Sequence, residues 1–341
     1  MQATQDEFFD SFLKETLGTE DFKVYQLAGD ASNRLYYRVI QDQQSWVLMR
    51  WEPFDPPTYP FLSVLHHFAK HQVHVPEVVG LDAKKGLVLL EDLGDLTLER
   101  KFWENQSPEN SISFYRKALD EILKIHFAAT ADRSNPCTAF QIQFDVEKFL
   151  WEMRYGQDNL LTGICKFSLD DKQNSELTNV FTSICERLHA EPKYIAHRDY
   201  HSRNLMIKLD EMRVIDFQDA RMGPVQYDLV SLLRDSYVDM PDDMAESLMS
   251  YYLERAKPHL GKDLSMENFM RIYELQTVQR CFKACGSFSS FYNLRNDTRY
   301  LKYISHTLKR VLKGLGEFPE YKIFADILID SGALERKYED L

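Results

Sequence analysis

At 341 residues the chain has the length of about two average domains, and its 44% hydrophobic content is enough to fill a substantial core. A formal net charge of −12 argues against a surface built to neutralise a phosphate backbone, so nucleic acid is not expected as a partner. Five cysteines with no Cys-x-x-Cys pair suggest neither a disulfide framework nor a zinc site; with an acidic amino terminus and no apolar run near the length of a membrane span, a soluble, cytoplasmic, monomeric chain is expected.

The chain opens with a predicted helix. Thr4 and Glu7 form a capping box, and Phe8, Phe9, Phe12, Leu13 and Leu17 recur at helical spacing. Three strands follow over 24–28, 35–40 and 45–50, rich in β-branched and aromatic residues and separated by polar turns, which reads as an antiparallel meander. A helix over 59–71 and a further strand pair ending at Glu91 complete a small sheet lobe. From Leu96 the periodicity is helical, with Ser107 and Pro108 as cap and first turn, and a buried stripe of Ile112, Tyr115, Leu119, Ile122 and Leu123. Three short strands near residues 194–196, 205–207 and 213–215 interrupt the helices. The reading is an α+β, two-lobed fold: a small antiparallel-sheet lobe over 1–94 and a mainly helical lobe over 95–341.

Between residues 195 and 228 lies the most informative segment, with His197-Arg198-Asp199, then Asn204, then Val214-Ile215-Asp216-Phe217. Phosphoryl transfer asks a protein for positioning and charge neutralisation: a carboxylate beside the attacking hydroxyl and oxygen ligands for a divalent ion. Asp199 fits the first need as catalytic residue, and Asn204 and Asp216 fit the second as ligands of Mg2+, with ATP as co-substrate. His197 is read as structural, its ring holding the loop.

This segment resembles the aminoglycoside phosphotransferase and choline kinase superfamily, whose loop reads His-x-Asp-x-x-x-x-Asn and whose metal motif continues as here in Gly223-Pro224-Val225-Gln226-Tyr227-Asp228-Leu229. The resemblance implies a protein-kinase-like fold and a bracing role for Asp228. The short span from Asp216 to Asp228 lacks the long activation segment of protein kinases, which disfavours a protein substrate. Together with the stretch 227–237 and with Gln279, Arg280, Lys283, Gly286 and Phe288, the motifs look like the branch that phosphorylates the anomeric hydroxyl of N-acetylmuramate and N-acetylglucosamine in cell-wall recycling. Aminoglycoside or amino-alcohol kinases, and a nucleotide-binding pseudokinase, are the alternative readings.

On the nucleotide side, the turn containing Gly29, Asp30 and Ser32 stands where such enzymes cover the phosphates, with backbone N–H groups as the donors. The resemblance places Arg50 at the site of the kinase phosphate-binding lysine and Leu48, on the same strand face, over the adenine; the helix after it offers no glutamate partner. Glu91 and Leu93 mark the hinge at the purine edge. On the acceptor side the candidates are Tyr200, His201, Arg203 and Asp219, with Arg203 either pairing a substrate carboxylate or fixing the loop. Basic residues at 279–283 and 309–313 favour a neutral or anionic small-molecule acceptor. Met49, Phe149 and Trp151 are read as packing, and His126 and His189 as core or surface histidines.

Overall fold

A computed structural model describes residues 7–27, 34–104, 108–261 and 265–341; Thr4, Gly29, Asp30, Ser32 and Ser107 lie outside them. Strands β1 (Lys23–Gln26), β2 (Leu35–Gln41) and β3 (Gln44–Arg50) form an antiparallel meander. A hairpin of β4 (Val78–Asp82) and β5 (Leu87–Glu91) joins it through β5, giving the order β1-β2-β3-β5-β4. Helix α1 (Glu7–Leu17) covers one face, where Phe9, Phe12 and Leu13 pack on Val24, Tyr37, Val39, Leu48, Leu87 and Leu89.

The other face meets helix α2 (Pro60–Lys70), which Pro60 starts at its first turn. Its buried residues Phe61, Leu62, Leu65 and Phe68 belong to the large core that runs on into the second lobe. The hinge follows β5, with Gly94 at φ +77°, a backbone state in which a glycine carries no Cβ penalty.

Beyond it come α3 (Leu98–Glu104), α4 (Ile112–Leu123), α5 (Val146–Gly156) and α6 (Asp171–Ala190). Helix α3 adds a separate element to the expected organisation, and 108–111 form a 3-10 turn leading into α4. Helix α4 runs into a wider π-helical stretch, Lys124–Ala129, of the kind that redirects side chains at functional sites. Next come β6 (Tyr194–Ala196), β7 (Leu205–Lys208), β8 (Glu211–Val214) and β9 (Arg221–Gly223), the last not foreseen from the sequence. Strand β6 pairs with β9 and β7 with β8, so two small ladders clamp the loop 197–204 between them. Helices α7 (Val225–Leu233), α8 (Asp242–Ala256), α9 (Met266–Arg295), α10 (Ile304–Leu315) and α11 (Lys322–Asp330) complete the lobe.

Helix α9 is 30 residues long and buried on nearly every side over its middle, as expected for a helix inside a lobe rather than on its surface. Ser265 caps its start by accepting from the Asn268 N–H, and Asn296 ends it in the left-handed conformation. It crosses α5 at Gly156 and Gly286, close enough that a Cβ on Gly286 would stand 2.6 Å from the Gly156 Cα. Trp151, expected in the core, is instead 51% exposed and lies against Tyr155, because it faces outward on α5 while Phe149 and Met153 take the buried stripe.

Candidate active site

The loop after β6 is shaped by one buried carboxylate. Asp228, near the start of α7 and fully buried, accepts from the backbone N–H of His197 at 2.7 Å and of Arg198 at 2.9 Å. These bonds hold Arg198 at φ +84°, an unfavourable state for a residue with a Cβ. His126, turned inward by the π-helical stretch, approaches the same carboxylate at 3.3 Å through Nε2 and contacts the Tyr252 hydroxyl through Nδ1 at 2.7 Å. Nothing in the sequence signals that partnership, since a histidine on a helical stripe carries no motif. The His197 ring lies 2.9 Å from the Ile215 carbonyl through Nε2, tying the loop to the segment that presents Asp216.

The side chains of Asn204 and Asp216 come together, and Asn204 is also tied to the main chain of Asp199. The Asn204 amide donates to the Asp199 carbonyl at 2.9 Å and to Asp216 Oδ2 at 3.2 Å, which leaves its amide oxygen available. Asp216 sits at φ +65° and takes a further bond from Gln218 at 2.8 Å. An amide oxygen and a carboxylate side by side in a cleft make an all-oxygen donor set that suits a hard divalent cation. Phe217 is fully buried and stacks on Phe61 at 5.2 Å, with its edge to Phe68 at 5.9 Å. An aromatic contact, in place of an ion pair, thus couples α2 to the Asp216 segment.

The Asp199 side chain faces the other way, into a small cavity of about 160 Å³ bounded by His201, Ser231, Arg234, Tyr237, Arg280, Lys283 and Phe288. Arg280 and Lys283, one turn apart on α9, approach its Oδ1 at 3.6 and 3.9 Å, and Arg198 approaches Oδ2 at 3.9 Å. Burial alone would raise the Asp199 pKa, but Lys283, Arg198 and Arg280 outweigh it and hold the carboxyl well below the usual carboxylate range. Burial pushes the Lys283 ammonium down to about 8, against the pull of Asp199, and the His201 imidazole down to about 3.

The larger cleft, about 630 Å³, opens between the lobes and is lined by Arg34, Tyr36, Val47, Trp51, Leu93 and Asp216 among others. Glu91 and Leu93 border it; the Glu91 carboxylate is held by Lys208 at 2.7 Å, and Lys208 also donates to the Asp92 carbonyl at 2.8 Å.

Leu48 and Arg50 do share a strand face, but it is the opposite one. Leu48 is fully buried beneath α1, and the Arg50 guanidinium lies over the Phe8 ring of α1 at 4.4 Å. The cleft face of β3 carries Val47 and, under α2, Met49, so neither predicted residue reaches the nucleotide side. Among the described residues, the cations lining the cleft come from β2 and the residue before it. Arg38 is engaged by Asp92 and Asp95, whereas Arg34 stands over Trp51 at 5.5 Å and against the hydroxyls of Tyr36 and Tyr59.

Three acceptor candidates also move. Tyr200 is fully buried and donates to the Ala118 carbonyl at 2.6 Å, which makes it a packing residue of the loop. Arg203 engages both oxygens of Glu99 at 2.9 Å and the Tyr303 hydroxyl at 2.8 Å and lines neither cavity, which fits the loop-fixing role of its two readings. Asp219 borders the interlobe cleft, paired with Arg198 at 2.9 Å, rather than the cavity beside Asp199. His201 does line that cavity. In the basic stretch 309–313, Arg310 binds the carbonyls of Arg234, Asp235 and Val238 and so shores up the cavity wall from behind.

The family model described as the phosphotransferase enzyme family matches residues 23–262, a span holding both lobes' contributions to the cleft. The chain belongs to the phosphotransferase enzyme family. It is 29% identical over 326 residues to the N-acetylmuramate/N-acetylglucosamine kinase of Neisseria meningitidis serogroup B, covering 94% of this chain and 95% of that one. The enzyme of that name from Pseudomonas putida is 28% identical, over 89% of this chain and 86% of its own. Among solved structures, this phosphotransferase superposes on a choline kinase from Cryptosporidium parvum with TM-score 0.62 and 11% identity, covering 96% and 97% of the two chains. An ADP-bound aminoglycoside phosphotransferase gives TM-score 0.58 and 15% identity over 90% and 98%. The fold is therefore protein-kinase-like and bilobal, and the enzyme is a small-molecule kinase with a hydroxyl acceptor. Among the described residues, no helix is long and apolar enough to cross a membrane.

Proposed function

We propose that this phosphotransferase uses ATP and Mg2+ to phosphorylate the anomeric hydroxyl of N-acetylmuramate or N-acetylglucosamine, with residues 1–94 holding the nucleotide and 95–341 the acceptor. The observation that carries the reading is the Asp199 carboxylate at the wall of a small cavity bordered by the aromatic rings of Tyr237 and Phe288 and by the cations Arg280 and Lys283. Aromatic faces suit the C–H surfaces of a sugar ring, and the cations suit a neutral or anionic acceptor; a polycationic antibiotic would be repelled. The names of the relatives at 29% and 28% identity support the same acceptor class.

In the reaction, Asp199 orients the acceptor hydroxyl and takes its proton while the oxygen's electron pair forms the bond to the γ-phosphorus. The bond to the β–γ bridging oxygen breaks with its pair leaving on ADP. Asn204 and Asp216 would hold Mg2+, which neutralises charge on the phosphates when bound. Arg34, rather than Arg50, supplies the side-chain cation facing the phosphates, standing over the Trp51 ring at 5.5 Å.

The test is ADP release measured with N-acetylmuramate, N-acetylglucosamine, their methyl glycosides, choline, kanamycin and homoserine. Turnover with the free amino sugars and none with the methyl glycosides is expected, because methylation removes the attacking hydroxyl. Silence with both free amino sugars would remove the assignment.

A further inference from the structure

Outside the cleft, one cluster of ligand-type side chains has no part in phosphoryl transfer. His67 and His71 are four residues apart on α2 and so share one helix face, with ring centroids 5.0 Å apart. Asp132 comes from the other lobe, just past the π-helical stretch Lys124–Ala129. The ligand atoms of these three residues all lie within 4.8 Å of one another.

His67 is only 4% exposed, and its Nε2 lies 2.8 Å from the Ala129 carbonyl. A carbonyl accepts only, so that nitrogen carries the proton and Nδ1 keeps its lone pair. Nδ1 is buried and has no hydrogen-bond partner. An imidazole that donates one N–H to a backbone carbonyl and keeps the other nitrogen open is set up as metal-ligating histidines are.

We propose that His67, His71 and Asp132 form a Zn2+ site that fastens α2 to the helical lobe. Two imidazole nitrogens and one carboxylate oxygen suit zinc, with water as a fourth ligand, and suit Mg2+ or Ca2+ poorly. The carboxylate is already occupied: Asp132 Oδ2 meets His71 Nε2 at 2.9 Å and the Lys70 ammonium at 2.6 Å, and Oδ1 accepts from the Ser134 N–H at 2.8 Å. Lys70 therefore stands in the cation's place. An entering ion displaces it toward its second partner, the Ser134 hydroxyl at 3.0 Å, and zinc affinity is set by that competition. Because Phe61 and Phe68 of the same helix pack on Phe217, an ion here bears on the element beside Asp216 without touching it.

The experiment titrates the EDTA-stripped full-length chain, carrying Asp216→Asn to remove the oxygen site in the cleft, with Co2+ by visible absorption and with Zn2+ by calorimetry. One equivalent is expected to bind, with the intense absorption of four-coordinate cobalt and a rise in Tm. His71→Gln is expected to weaken binding at least about tenfold, and Lys70→Met to tighten it several-fold by removing the competitor. These two positions are used because His67 is a core residue whose replacement risks the fold. No binding at stoichiometric Co2+, undiminished binding by His71→Gln, or unchanged or weaker binding by Lys70→Met would each overturn the proposal.

Discussion

Replacing Asp228 with Asn keeps the size of the side chain and removes its charge, which makes it a direct probe of what shapes the catalytic loop. The carboxylate accepts two backbone N–H groups, at 2.7 and 2.9 Å, with no exposure to solvent. In Asp228→Asn one oxygen becomes an NH2 that faces one of those donors, so one charge-assisted bond of about 1.5–3 kcal/mol is lost. The orphaned N–H adds a desolvation cost of about 1–3 kcal/mol, for a total of about 3–5 kcal/mol. The strain stored in Arg198 at φ +84° would then relax, carrying Asp199 with it. Urea unfolding should show a midpoint lowered by that free energy divided by an unchanged m-value, and kcat should fall together with it. A stability change below about 1 kcal/mol with kcat unchanged would refute the view that this carboxylate holds the loop.

Asp199→Asn should lower kcat at least about a hundredfold while leaving the nucleotide Kd within a few-fold, measured by steady-state turnover and calorimetry; a near-normal rate would mean that another group aligns the hydroxyl. Arg34→Met should weaken ATP binding about tenfold or more without changing adenosine binding, whereas Arg50→Met, on the far face of β3, should leave both unchanged; equal effects would contradict the placement. The Lys283 charge is present below about pH 8 and lost above it, so kcat/KM should fall through that pH if the charge holds Asp199 in place. Lys283→Arg should carry the fall to higher pH, and an unmoved alkaline limb would count against that role. Gly286→Ala sets a Cβ against backbone atoms of Gly156 at 2.6 and 2.8 Å, where nothing flexible can yield, and should cost about 3 kcal/mol in thermal or urea unfolding; a change within 0.5 kcal/mol, roughly the scatter of a harmless surface substitution, would show that the two helices part easily.

Much of the fold was legible because its elements carry local signals. The β-branched and aromatic content of 35–40 and 45–50 between polar turns marked β2 and β3, and the proline-rich turn ahead of residue 59 marked the start of α2. Alternation does not say which side of a strand faces which neighbour, and this is where the reading of Leu48 and Arg50 went astray: α1, from a remote part of the chain, covers the face they share. The meeting of Asn204 with Asp216 was legible because only the short β7–β8 hairpin separates them in sequence, whereas the direction taken by the Asp199 carboxylate, into the other cavity, was not. Partners supplied from afar were not. Glu99 takes Arg203, Ala118 takes Tyr200 and His126 reaches Asp228, each across about 80 to 105 residues of sequence, and no local pattern encodes such pairings. Arg280 and Lys283 were visible as a basic pair on a helix, yet only the fold brings them to Asp199.

Lys208, reaching from β7 to the Glu91 carboxylate and the Asp92 carbonyl, straps the hinge to the helical lobe, while Arg38 grips Asp92 and Asp95 from the sheet side. A connection bolted from both ends is a poor pivot. Opening the lobes by swinging about 92–94 would mean breaking several charge-assisted bonds at once, so nucleotide exchange in this enzyme should proceed with the lobes nearly stationary, its pace governed by motion at the mouth of the cleft instead of by a jaw-like gape.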